Sequence, residues 1–176
     1  KEIVINEINY NSSDLFESGD WIELYNRSDQ TVDLSDWTFT DSAPAHVYQF
    51  TSGTVLEPNH YLVLVRDDSA FNSRFPGVMN YVGEMNFGLR GSGEFIQLLN
   101  EEGQIVDSLT YDDELPWPVE ADGLGPTLEL TDPDSDNSLP DSWQASAGHG
   151  SPGQQNSVTT FIEEDKNDIL PDSYLL

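Results

Sequence analysis

Between Asp20 and Phe39 the chain twice alternates apolar and polar positions with a period of two, on either side of a polar loop. In the first run Ile22 and Leu24 point one way while Trp21, Glu23 and Tyr25 point the other. In the second, Trp37 and Phe39 share a face opposite Thr38 and Thr40. Asn26, Ser28 and Asp29 between them turn a chain by bonding their own backbone. Strand-like runs recur at residues 2–8, 46–50, 60–65, 94–99, 104–111 and 127–130, and the second run extends over 36–41. They are separated by turn clusters such as Glu57-Pro58-Asn59 and Asn100-Glu101-Glu102-Gly103. Nowhere does a 3.6-residue stripe persist for about ten positions. Short strands at this spacing predict an all-β antiparallel sandwich or barrel, with 94–99 and 104–111 as its clearest hairpin and Ile22, Leu24, Trp37 and Phe39 in a common interior.

The strand pattern stops after Gly150-Ser151-Pro152-Gly153. The expected organisation is one domain over residues 1–157 and a carboxy-terminal linker over 158–176, with Phe161, Ile162 and Tyr174 as its apolar anchors. Beginning at Lys1 without an initiator Met and breaking off at Leu176, the chain reads as a module of a longer polypeptide. No apolar run approaches the ~20 residues of a membrane span, so membrane insertion is not expected. With no cysteine, disulfides, thiolate metal sites and thiol catalysis are excluded. An internal Lys–Asn crosslink is not expected either, because the only lysines, Lys1 and Lys166, sit at the two ends.

Six basic residues against 33 acidic ones give a formal charge of −27, spread along the chain. Such a surface repels nucleic acid and anionic membrane, which removes nucleic-acid binding from consideration. It also favours either diffuse screening by salt or discrete Ca²⁺ sites, since calcium takes six to eight oxygen ligands of the kind acidic loops supply.

Two loops qualify for calcium. Asp132, Asp134 and Asp136 alternate as in the first half of an EF-hand loop, but Asn137 stands where the invariant Gly is needed and Trp143 where the bidentate Glu is needed. An EF-hand is therefore rejected, leaving an irregular Ca²⁺ loop or an acidic loop built on Asx-turns. In the second, Asp112 and Asp113 end a strand and Glu120 and Asp122 return beyond Pro116-Trp117-Pro118, where Trp117 could equally plug the end of a sandwich. A hydrolase working through acidic residues is the weakest alternative: His46, His60 and His149 lie in no metalloprotease or nucleophile-elbow motif, and paired carboxylates arise by accident among so many acids. Among the four tryptophans, Trp21 shares a partly polar strand face with Tyr25, so these two are the candidate ligand-stacking residues for a carbohydrate or protein partner.

The segments IVINEINYNS, GDWIELYNRSDQTVDLSDWTF, LEPNHYLVLVRD, SGEFIQLLNEEGQIVDSLTY, PWP and ADGLGPTLEL, in that order and spacing, resemble the lamin tail domain in its bacterial extracellular form over roughly residues 3–156. The resemblance implies an immunoglobulin-like sandwich serving as a non-catalytic accessory module of a secreted or cell-surface protein, often beside hydrolase domains. It would mediate binding or spacing, with other domains of the same polypeptide, a surface polymer or a protein ligand as partners. The basic surfaces through which animal lamin tails meet chromatin have no counterpart in a chain of this charge. A second likeness, of Leu170–Leu176 (LPDSYLL) to the lead-in of the type IX sorting domain, implies export, although the Asn-Tyr-Pro-Asn-Pro-Phe motif that follows it in that family is absent.

The charge generates a first prediction. Self-repulsion should make the melting temperature rise with NaCl, measured by scanning calorimetry, and Ca²⁺ should exceed Mg²⁺ at matched ionic strength only if a discrete calcium site exists.

Overall fold

Alternation decides which side chains meet, and the predicted strands form with four shorter ones added. The computed structural model describes residues 1–159. In chain order the strands are β1 (Ile3–Asn9), β2 (Trp21–Asn26), β3 (Val32–Asp33), β4 (Thr38–Asp41), β5 (Val47–Gln49), β6 (Val55–Leu56), β7 (Tyr61–Val65), β8 (Tyr81–Val82), β9 (Glu94–Leu99), β10 (Ile105–Tyr111), β11 (Leu128–Leu130) and β12 (Trp143–Ala145). One α-helix, α1 (Asp68–Arg74), lies between β7 and β8. A six-stranded sheet in the order β12-β11-β1-β2-β7-β8 packs on a four-stranded sheet, β10-β9-β4-β5, while β3 and β6 form a small ladder of their own. Every pairing is antiparallel except β7 with β8. This is an immunoglobulin-like β-sandwich.

Ile22, Leu24 and Phe39 are fully buried, and Trp37 is 8% exposed, all in one cluster with Ile3, Ile5, Ile8, Leu64, Ile96 and Leu98. Cross-strand register brings Ile22 opposite Leu64, Leu24 opposite Leu62 and Phe39 opposite Leu98, so apolar side chains of both sheets interlock. At one end Trp117 and Trp143 close this interior, with ring centroids 6.1 Å apart.

β1 breaks its own alternation. Ile5 pairs with Leu24, but the next aligned pairs are Glu7 with Glu23 and Ile8 with Ile22, so Asn6 is an extra residue in a β-bulge. One inserted residue reverses the phase: Ile3 and Ile5 before it, and Ile8 and Tyr10 after it, all reach the core, while Glu7 turns to the opposite face.

That opposite face of the six-stranded sheet carries two covers. α1 is the first, setting Phe71 on Trp21, Val63 and Val65. Asp67, which has no evident partner in the linear sequence, is its N-cap and accepts a 2.9 Å hydrogen bond from the Ala70 N–H. At seven residues the helix is too short to write a periodic stripe. Residues 146–158 form the second cover, a strap across β11, β1 and β2. Most of the expected linker, with Phe161, Ile162, Tyr174 and the Leu170–Leu176 likeness, lies outside the described residues.

Phe39 sits at the centre of the contact between the sheets. Phe39→Ala should therefore cost ~3–5 kcal/mol of unfolding free energy in urea titration, with the slope unchanged.

Candidate functional site

Glu7, Glu23 and Glu129 stand side by side on the strap-covered face, Glu7 being the direct cross-strand partner of both others. All three are fully buried. Carboxyl groups in that position need donors in place of water, and the strap supplies them together with Thr127 and Asn6. Glu7 accepts from Thr127 Oγ1 at 2.5 Å and the Ser151 N–H at 3.0 Å. Glu129 accepts from Ser151 Oγ at 2.6 Å, Ser157 Oγ at 2.7 Å and the Val158 N–H at 3.1 Å. Glu23 accepts from Asn6 Nδ2 at 2.9 Å and the Gly153 N–H at 2.6 Å. Asn156 locks the strap down by donating Nδ2 to the carbonyls of Asn6 and Leu130, both at 2.9 Å, while accepting from Asn6 Nδ2 at 2.8 Å. Burial first, and then the charges of Glu23 and Glu129, push Glu7 well above the usual carboxylate range. Glu23 is pushed up to about 8, chiefly by burial.

The residues singled out from sequence are distributed differently from expectation. Trp21 is fully buried under Phe71 and Phe75, and its indole N–H donates to Ser18 Oγ at 3.3 Å, so it offers no plane to a ligand. Alternation correctly placed it on the second face of the sheet; that face is covered because α1 packs there. Tyr25 remains half-buried and stacks on Tyr61 of the neighbouring strand, with centroids 4.7 Å apart. The pair borders a groove of about 450 Å³ with Asn59, Pro133, Gln155 and Thr159.

The Asp132, Asp134 and Asp136 side chains are engaged by hydrogen bonds and an ion pair within their own surroundings. Asp132 accepts from the Asp134 N–H, Asp134 pairs with Arg27 at 2.9 Å, and Asp136 accepts from the N–H and hydroxyl of Ser138. These contacts make the loop a series of Asx-turns, and the Ser138 bonds hold the exposed Asp136 carboxyl below its ordinary value. Asp112 caps the Glu114 N–H, and Asp122 accepts from Asn11 Nδ2 at 2.7 Å. Asp112, Asp113 and Asp122 do converge electrostatically on Tyr10, a buried hydroxyl without a hydrogen-bond partner, whose ionisation burial and these three charges oppose. Among the described residues no group of three or more His, Asp or Glu side chains is arranged to hold a metal ion.

The histidines are likewise engaged: His46 with Asp41 at 2.6 Å and stacked on Phe87, His60 with the Pro58 carbonyl at 2.8 Å, and His149 stacked on Phe16 at 3.9 Å. A polar cluster that sequence reading missed lies where β10 meets β1. Asp107, fully buried, accepts from the Ile5 N–H and Asn137 Nδ2, each at 2.7 Å, and pairs with Lys1 at 2.6 Å. A register shift between Ile105 and Asp107 sets the phase in which Asp107 turns inward, and only the fold brings Lys1 and Asn137 to it.

An immunoglobulin-like sandwich with these segments in this order defines a lamin-tail type of module. The lamin tail domain profile matches residues 1–113, and the chain belongs to that family. No curated protein sequence matches the chain.

The buried glutamates set a pH dependence. Glu7 and Glu23 hold protons in the folded chain at pH values where the unfolded chain, near its ordinary 4.5, has released them. Their stabilisation is therefore complete below that ordinary value and is lost as pH rises through their raised folded-state values, about 8 for Glu23. At fixed ionic strength the urea midpoint should be higher at about pH 5 than at about pH 9, and Glu23→Gln, which stays neutral, should flatten the decline.

Proposed function

We propose that this chain is a non-catalytic accessory module of an exported multidomain protein, holding its neighbouring domains at a set separation. The observation that carries this reading is the commitment of the chemically capable groups: the buried glutamates and all three histidines are bonded to or stacked on internal partners. Membership of the lamin tail domain family supports a non-catalytic role. The dense negative surface supports an environment where salt screens it. Export, a cell-surface address and a type IX route follow from the sequence likenesses and belong to the same proposal.

A second reading, recognition of a surface polymer or protein, is favoured by the stacked Tyr25–Tyr61 pair beside its groove. Stacked phenol rings with amide groups at their edge suit sugar rings or a flat peptide segment.

Deletion of residues 1–157 from the parent polypeptide separates the two. As a spacer, its loss should leave turnover of neighbouring domains on small soluble substrates unchanged while lowering action on large or anchored ones. A glycan or protein array signal abolished by Tyr61→Ala would instead establish recognition at the groove.

A further inference from the structure

Lys1, Asp107 and Asn137 come from the start of the chain, from β10 of the four-stranded sheet and from the loop after β11. Their functional groups are in mutual contact. Lys1 Nζ donates to Asn137 Oδ1 at 2.8 Å, and the carboxamide carbon lies one bond beyond that oxygen. Asp107 touches both nitrogens that would change partners: Oδ1 lies 2.6 Å from Lys1 Nζ and Oδ2 lies 2.7 Å from Asn137 Nδ2. Asp107 and Asn137 are 0% and 1% exposed, so water is largely excluded from the carboxamide. Asn137 is fixed from two further sides, by Nδ2 donating to the Ile5 carbonyl at 3.3 Å and by its own carbonyl accepting from the Trp143 indole at 2.8 Å.

An amine, an amide carbon and a proton carrier held in this way have the geometry for acyl transfer. We propose that Lys1 and Asn137 join in an intramolecular amide, with Asp107 carrying protons between the two nitrogens. Asp107 takes a proton from the Lys1 ammonium, and the freed lone pair attacks Cγ of Asn137. Asp107 delivers that proton to Nδ2, then relays a second from Nζ. The new Nζ–Cγ bond is retained and the Cγ–Nδ2 bond breaks. Two protons leave Nζ and two arrive on Nδ2, so ammonium departs, Asp107 returns to its carboxylate, and no oxidant or co-reactant is needed. Lys1 lies at the start of the sequence and its side chain is 38% exposed, but its amine reaches the buried Asp107 carboxylate, which is what the expectation against such a link left out.

The product would fasten the strand at the middle of the six-stranded sheet to a loop 136 positions later in sequence, whatever ligand or spacing role the module serves. The test is the intact mass of the folded full chain after prolonged incubation, followed by tryptic mapping. The expected mass is one ammonia below that of the sequence, with fragment 1–27 recovered joined to fragment 91–166, because an acylated Lys1 resists trypsin and Asn137 lies between Arg90 and Lys166. Lys1→Arg keeps a cation beside Asp107 without the nucleophilic amine; it should fold, show its full sequence mass and melt below the wild type. Asp107→Asn should also retain the full mass, a readout that does not depend on its folding. A folded wild-type chain with the full sequence mass overturns the proposal. So does an ammonia loss that maps to a succinimide at Asn137 with Lys1 free.

Discussion

Three carboxyl groups removed from water in adjacent strands are the constraint around which one half of this molecule is arranged. A single buried carboxylate without partners is costly, and like charges directly opposite in a sheet add to that cost. Glu7, Glu23 and Glu129 meet both conditions. The composition of the strap follows. An apolar cover would strand the carboxyl oxygens, so residues 146–158 bring serine hydroxyls, backbone N–H groups and Asn156. Gly150 is obligatory in this arrangement, since its φ is +93° and a Cβ there would run into Glu7 Oε1. Protons retained by Glu7 and Glu23 relieve the repulsion that geometry alone would leave.

The two faces of the six-stranded sheet illustrate what a linear sequence discloses. Ile22, Leu24, Trp37 and Phe39 announced the interior through period-two alternation, and the other long strands were legible as short strand-like runs between turn clusters. The opposite face was legible in phase but not in environment. Trp21 and Glu23 were correctly placed together on it, yet their burial depends on α1 and on the strap, neither of which writes a periodic pattern. Residues 2–8 hold two adjacent polar positions, Asn6 and Glu7, between Ile5 and Ile8, but a bulge is a property of the pair of strands, and β2 is needed to see which residue is inserted. The acidic loop of Asp132, Asp134 and Asp136 shows a related limit. Its acids were adjacent in sequence, but Asx-turn bonding and the Arg27 pair satisfy them locally, so they do not gather around a common centre.

The extent of the family match and the extent of the folded unit differ. The matched residues end at 113, yet β11 pairs directly with β1, and β12 and the strap complete the same side of the sheet. Residues 114–158 are therefore part of the sandwich by physical criteria: Leu128, Leu130 and Trp143 belong to the main core. A lamin tail domain in this chain is a closed structure only with that additional segment, and the polar face it seals is internal, not an exposed platform.

β1 lies between β2 and β11, the one next to it in sequence and the other more than a hundred positions away. Of its two hydrogen-bonding edges, one can be filled as soon as β2 emerges, whereas the other waits until almost the whole domain has been made. During synthesis, the early β1–β2 hairpin therefore carries an open edge and a row of uncovered glutamates. Long-range closure of this kind slows folding. Those ionised glutamates would oppose premature edge-to-edge pairing of nascent chains, so the feature that burdens the finished sheet protects its precursor.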